Sequence, residues 1–332
     1  MFSKIIWKIA MITSLLSSLA ICEEKPNNPQ LKAAGGVWTQ AAGFTGTPVR
    51  GSAAFAIGNY AYIISGTAGD QLIKQVYQYD STTNTWAQKN DFPGTPRLDT
   101  SGFSIGSKGY VCFGSDNNVS LKDLWEYDPQ TDQWTRKTDF PGLARLLATV
   151  MVINGKAYVT GGYTTEGYKT DVWEYDPQTD TWTRKADFPG IPRGSAAGFA
   201  IGNKGYMCTG IIPGSGWTTT KEFWEYDPQT DHWTQKTDFP GTARGYAQGF
   251  AIGTKGYTGL GLLEIGTGGN SLTLIKDLWE YDPATNGWTQ KTSIPGSGRA
   301  MAVSFVIGSS AYMGLGNNEN VVNINDLWKY TP

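Results

Sequence analysis

Beyond residue 35 the sequence runs in short stretches, about five residues each, in which large apolar side chains alternate with polar ones. Leu124-Trp125-Glu126-Tyr127-Asp128 is one such stretch, and its pattern predicts a half-buried β-strand. A turn follows at Asp128-Pro129-Gln130-Thr131-Asp132, where the first Asp caps with its side chain and Pro presets φ. Past the turn, Trp134-Thr135-Arg136-Lys137 predicts another strand. Two earlier strands complete the unit, one of the Ser52–Ile57 type ending at Ile-Gly and one of the Gly109–Gly114 type. Lettered a to d in chain order, they predict an antiparallel four-stranded sheet.

This unit repeats. The segment from Asp123 to Trp134 recurs almost verbatim around Trp182, Trp233 and Trp288, and more loosely around Trp86. With Trp38 the marks fall at 38, 86, 134, 182, 233 and 288, in steps of 48, 48, 48, 51 and 55. A period of that size with several short strands per unit indicates a propeller blade, not a helical solenoid. An Arg recurs before each strand a, at positions 50, 97, 145, 193, 244 and 299. The series opens on Trp38-Thr39-Gln40, a lone strand d, and ends on Leu327-Trp328-Lys329-Tyr330, a strand c without its d. A ring in which the N-terminal strand completes the last blade answers both, and hides the open edges.

The Tyr-x6-Trp pairs (Tyr127/Trp134, Tyr175/Trp182, Tyr226/Trp233), the Gly closing strand b and the Arg before strand a together resemble the Kelch repeat. The resemblance covers residues 36–332 and implies an all-β, six-bladed β-propeller with four antiparallel strands per blade. Only Gly161-Gly162 keeps the double glycine of that repeat; other blades read Ser65-Gly66, Phe113-Gly114 or Leu315-Gly316. Propellers of this kind include secreted bacterial sialic-acid mutarotases, so the resemblance implies a sugar mutarotase or epimerase as one alternative. In that alternative Glu166 or Glu264 serves as base and Arg193 holds a carboxylate. Galactose oxidase also resembles a Kelch propeller, but its copper site needs histidines. The single His, His232, lies in a c–d turn on the opposite face, so neither metal nor cofactor is expected.

A repeat protein carries an internal control: what recurs serves the blade, and what differs is free for other work. The repeated Trp, Tyr, Asp-Pro and Arg are thus structural, the Arg side chains bracing neighbouring blades against Asp91, Asp139, Asp187 and Asp238. Of thirteen Trp residues, Trp217 alone beyond the leader has no counterpart; it sits in a Gly-rich b–c loop, and is expected to be more exposed than the repeated ones. From the strand b Tyr to the strand c Tyr the distance is 17 in three blades, then 20 (Tyr206 to Tyr226), 24 (Tyr257 to Tyr281) and 18 (Tyr312 to Tyr330). Length change therefore gathers in b–c loops, which share a face with the d–a loops and mark the binding face. Two residues past the repeated Arg stand Ser52, Asp99, Leu147, Ser195, Tyr246 and Met301, and the b–c loops add Asp70, Asn117, Tyr163, Tyr168 and Asn318. Asp99, Ser195, Tyr246, Trp217, Tyr163, Tyr168, Asn117 and Asn318 are the candidate ligand contacts. Hydroxyl, amide and aromatic groups suit a glycan or a protein ligand, and a structural surface scaffold is the third reading.

Ahead of the repeats, residues 1–22 carry Lys4 and Lys8 before an apolar stretch, the layout of an export signal. Leu19-Ala20-Ile21-Cys22 resembles a bacterial lipobox with lipidation at Cys22; cleavage after Ala20 is the alternative. Residues 23–35 are polar and proline-bearing, as a tether would be. The expected location is the bacterial outer membrane or cell surface as a lipoprotein, or the periplasm or exterior as a secreted chain, with any membrane contact through the anchor alone. A formal net charge of -2 offers no basic surface for nucleic acid. A monomer is expected. Cys112 and Cys208 hold the same repeat position two repeats apart and read as small buried hydrophobes.

Overall fold

The computed structural model describes residues 35–265 and 272–332. They form six four-stranded antiparallel sheets in strand order a-b-c-d, and no helix is present among the described residues. The first blade comprises Ala53–Ile57, Tyr60–Ile64, Val76–Asp80 and Thr85–Lys89. The sixth takes Val303–Ile307, Ser310–Gly314 and Leu327–Thr331 from the C-terminal end and Val37–Ala41 from the N-terminal end. Closure pairs Trp38 with Tyr330, their rings 5.0 Å apart, and the Trp38 indole N–H donates to the Thr292 carbonyl at 2.8 Å.

Each blade is built alike. In Leu124–Asp128, Leu124 and Tyr127 are buried while Trp125 and Glu126 are half-covered. The Tyr127 hydroxyl donates to Asp132 at 2.6 Å, and Asp132 closes the c–d turn with a left-handed φ of 55°. The same carboxylate accepts the Asn90 N–H of the preceding blade, as Asp180 accepts from Thr138 and Asp231 from Ala186. One turn residue thus ties its own strand c to the neighbour's strand d. Between blades, Gly109 lies under the Phe55 ring so closely that a Cβ would stand 2.1 Å from it. Strand b needs glycine there for the blades to approach.

The repeated arginines do brace the structure, but not through the expected partners. Arg97 forms two parallel bonds to Asp123 at 2.6 and 2.7 Å, donates to the Phe113 carbonyl and lies over the Phe92 ring. Arg145 repeats all of this with Asp171 and Arg244 with Asp277, while Arg193 meets Glu222 through a single bond and Arg299 pairs with Asp326 without the carbonyl or ring contact among the described residues. These acids stand immediately before strand c, within the arginine's own blade. Asp139 and Asp187 instead pair with Arg136 and Arg184 at the surface.

Arg50 departs from the set. It bridges to Thr67, where sister blades place Leu98, Leu146, Gly194, Gly245 and Ala300. Val49 holds the brace position, its carbonyl accepting from Gly316 as the Arg97 carbonyl accepts from Gly66. Opposite Val49, Gln75 replaces the acid, and its Oε1 is buried without a partner. The ring therefore has five braces among six blades. Cys112 and Cys208 are both buried and unbonded to each other.

Removing residues 36–41 strips the edge of the sixth blade and leaves Tyr330 uncovered. The expected cost is about 3–5 kcal/mol, read as a fall in the thermal midpoint. An unchanged midpoint would show that the sixth blade is stable without this strand.

Candidate functional site

The innermost strands surround a cavity of about 230 Å³, lined chiefly by small and hydroxyl-bearing residues such as Ala54, Thr100, Ser101, Thr149, Ser195 and Ser304. Its mouth is a ring of six residues, one per blade: Gly51, Asp99, Leu147, Ser195, Tyr246 and Met301. All six hold left-handed φ values between 52° and 66°. Their backbones are chained, Gly51 N–H to Met301 O, Asp99 to Gly51, Leu147 to Asp99, Ser195 to Leu147 and Tyr246 to Ser195, at 2.9–3.2 Å. This conformation costs a non-glycine residue roughly 1 kcal/mol or more, a cost the ring shares with the strand b ends at Phe113, Thr209, Leu260 and Leu315 and with the c–d turns. In the first blade the ring residue is Gly51, not the expected Ser52, because Arg50 is shifted by one.

The b–c loops fold over this mouth as expected. Short hairpins such as Tyr163–Thr164 with Gly167–Tyr168, and Ile211–Ile212 with Thr218–Thr219, sit beside the d–a segments, and Gly194 bridges to Ile211. Trp217 comes from the second of these hairpin loops and stacks on Tyr246 of the next blade, centroids 6.1 Å apart and planes 15° from parallel. It is half-buried, as most repeated tryptophans are, so exposure does not set it apart as expected. Its partner does, since Tyr246 belongs to the mouth. Gly245 allows the approach: a Cβ there would stand 3.2 Å from the indole. The Trp217 indole N–H is buried without a partner.

Asp99 is the unusual carboxyl. It is 6% exposed, and its Oδ2 has no hydrogen-bond partner. Burial pushes its pKa up to about 7, with Arg50 only partly opposing the shift. Arg50 itself lies half-buried at the rim, where burial disfavours its charge and Asp99, Asp70 and Tyr246 favour it. Its Nη1 donates to Asn323 Oδ1 at 3.0 Å, and it makes no ion pair among the described residues. Burial foremost, then Asp99 and Tyr168, raises the Tyr246 hydroxyl well above its usual range. Tyr168 itself is raised to about 12 by burial and then by Tyr163.

Apart from Ser195, the other candidates fall outside the ring. Tyr163 and Tyr168 pack edge to face at 5.1 Å across their hairpin, and Tyr168 lies against Gly194. Ser195 accepts the Tyr246 N–H on its hydroxyl at 3.0 Å and lines the cavity. Asn117 adopts φ 75° and donates its N–H to Ser115, while the Asn318 side chain accepts from Asn320 and Val322 and so shapes its own loop. Arg193, expected to hold a ligand carboxylate, is 1% exposed and committed to Glu222 and the Thr209 carbonyl. Glu166, expected as a base, is exposed and paired with Lys169 at 2.6 Å. The Glu264 side chain lies outside the described residues, as does Cys22.

Arg50 was the residue that its type concealed. Spacing could have revealed it: Arg50 stands five residues before Phe55, whereas Arg97, Arg193, Arg244 and Arg299 stand six before Phe103, Phe199, Phe250 and Phe305.

The Asp99 shift sets a pH dependence. An unfolded Asp ionises near 4, whereas the folded one holds its proton to about 7. Across that window the native state binds the extra proton, so this residue's contribution to stability falls as pH rises. Asp99→Asn, which also suits a left-handed backbone, should stabilise by up to about 4 kcal/mol near pH 8 and by almost nothing near pH 4. Thermal midpoints of both proteins across that range check it; a constant difference would refute it.

The Kelch motif matches residues 48–93, 96–141 and 144–189. No curated protein matches the chain. Among solved structures it is similar to the one described as "Structure of YjhT", with a TM-score of 0.74 and 19% sequence identity over 87% of this chain and 96% of that one. At that identity the likeness is one of fold. Three matched motifs within six blades of one design show a six-bladed β-propeller that carries Kelch repeats.

Proposed function

We propose that this propeller is a binding module of the cell envelope or exterior, taking a glycan or protein ligand on the face formed by its b–c and d–a loops. The observation that carries this reading is the mouth itself. Trp217 stacked on Tyr246, the unpaired Arg50 and the unpartnered Asp99 oxygen converge there, and none recurs around the ring. An aromatic platform beside open polar groups is the composition that recognises sugars and protein hot spots. The proposed partner binds one propeller, without a second copy of the chain.

The placement of the N-terminal strand suits an anchored protein. Val37 pairs with Thr331, at the end of the sheet that carries the Asp-Pro turns in other blades. A tether of residues 23–35 held at a lipidated Cys22 would thus enter from that face and leave the loop face pointing away from the membrane. Labelling the chain in its host with a palmitate analogue tests the anchor. Label on the wild type and none on Cys22→Ser is the expected result; an unlabelled wild type means a secreted form cut after Ala20.

A glycan array tests the binding reading. Trp217→Ala should weaken any ligand by about 1–3 kcal/mol while costing little stability, because the ring stacks on Tyr246 at the mouth and fills no blade. Trp134→Ala, removing a ring packed on Phe92 and Tyr127, should cost about 3–5 kcal/mol of stability. Two variants melting equally early would remove Trp217 from the site. A second reading, sugar mutarotation, is favoured by Asp99 alone: a buried carboxyl with a pKa near 7 is suited to both giving and taking a proton. Faster anomer exchange by NMR, abolished in Asp99→Asn, would establish that reading, and array binding without exchange would exclude it.

A further inference from the structure

Two groups at the mouth have hydrogen-bonding capacity that the protein leaves unused. Arg50 commits Nη1 to Asn323, whereas its Nε and Nη2 meet no acceptor among the described residues. Each of the five brace arginines, by contrast, is buried against a carboxylate. Asp99 is 6% exposed, lines the cavity and leaves Oδ2 buried and unpartnered. Its backbone N–H donates to Gly51, the residue next to Arg50, so the two side chains rise from adjoining points of the ring.

We propose that Arg50 and Asp99 together recognise a carboxylate on the ligand, one oxygen accepting from the Arg50 guanidinium and the other meeting the buried, unpartnered Asp99 carboxyl, with the ligand's body against Tyr246 and Trp217. The proposal rests on the mouth being the ligand seat. A guanidinium fork and a carboxylate match in two parallel bonds, and the Arg97–Asp123 pair shows that geometry within this fold. Bringing an anion to Arg50 supplies the contact partner that its neighbours do not. Asp99 can take part only while it keeps its proton, since a protonated acid has one O–H to donate and an ionised one repels a second carboxylate. The groups facing Asp99 are Arg50, which favours ionisation, and Tyr246, a neutral phenol; Tyr168 acts on Tyr246, and Asp70 lies within the field of Arg50. Burial outweighs Arg50 and holds the acid neutral to about pH 7. Affinity for a carboxylate therefore falls as pH rises through that value.

The test is an NMR titration of the whole chain, following the Arg50 Nε–H and Trp217 indole resonances. Sodium acetate and sodium glucuronate are the probes; glucose and sodium chloride are the matched controls. Both carboxylates should shift Arg50 saturably, and the controls should not. Their affinity should tighten about tenfold from pH 8 to pH 6, following the protonated fraction of Asp99. Arg50→Gln, which keeps an amide to meet Asn323, should weaken binding about tenfold or more. Asp99→Asn should bind with a flat pH profile, because an amide donates at any pH. Glucose binding as well as glucuronate would overturn carboxylate recognition and leave the mouth as a ligand seat. A pH dependence that survives Asp99→Asn would overturn the role of Asp99. No shift with either carboxylate would overturn the site, and a silent glycan array beside it would remove the binding-module reading as well.

Discussion

The buried arginine–carboxylate brace is the interaction on which this ring depends. Arg97, Arg145, Arg193, Arg244 and Arg299 each reach from the segment entering a blade to the acid that opens its third strand, and all but Arg299 also satisfy a carbonyl at the end of the second strand. An ion pair that is nearly sealed from water carries a heavy desolvation cost, and only close two-point geometry with further hydrogen bonds offsets it. Here the arrangement is met by a planar guanidinium held over a phenylalanine ring in four of the five cases. What the brace contributes is position. It fixes where the chain turns from one blade into the next, and so where the mouth residues stand.

At the closing seam the rule is relaxed. The sixth blade is assembled from both ends of the chain and has no c–d turn, so Tyr330 finds no turn carboxylate and its hydroxyl stays buried without a partner. The first blade, entered directly from the closing strand, substitutes Val49 and Gln75 for the brace pair. That entry is one residue shorter between Arg and strand a, and the shift moves a guanidinium from the interior to the rim. A structural residue type thereby becomes available for binding through a change in spacing alone. Among the described residues Arg50 is the cation that acts on Asp99.

Much of the fold was legible because the blade repeats. Trp38, Trp86, Trp134, Trp182, Trp233 and Trp288 mark the same position, and the unmatched strands at the two ends admit one closure. The braces were harder to read. Asp91 and its counterparts stand six residues before their arginines, whereas Asp123 and its counterparts follow theirs by 26 to 33, so distance along the chain favours the wrong one; only the packing of the entry segment against strand c selects Asp123. The site was legible as a face and not as a set of contacts. Tyr246 and Asp99 stood out because they differ from blade to blade, but whether a loop polar group meets a ligand or its own turn depends on local hydrogen bonds. Asn318 turned inward to its loop, Arg193 was consumed by Glu222, and Arg50 matched its sisters in type while missing their register.

The contrast between frame and mouth is itself the argument for function. Throughout the blades, buried charges are paired: the five arginines hold carboxylates, and the turn aspartates hold tyrosines and backbone N–H groups. At the mouth the same chain leaves a carboxyl oxygen buried and unpartnered, a guanidinium without an acid, and five non-glycine residues in a left-handed backbone. Each departure lowers stability, and each could be relieved by a residue that the sequence already uses elsewhere, as Ser195 replaces Asp99 and Gly51 replaces Tyr246 around the ring. Among the described residues Asp99 alone leaves a carboxylate oxygen buried and unpartnered, and Arg50 alone of the repeated arginines lacks an acid, which points to selection on that opening for something other than folding. A ligand that satisfies Asp99 and Arg50 together would give back in binding what the mouth gives up in stability.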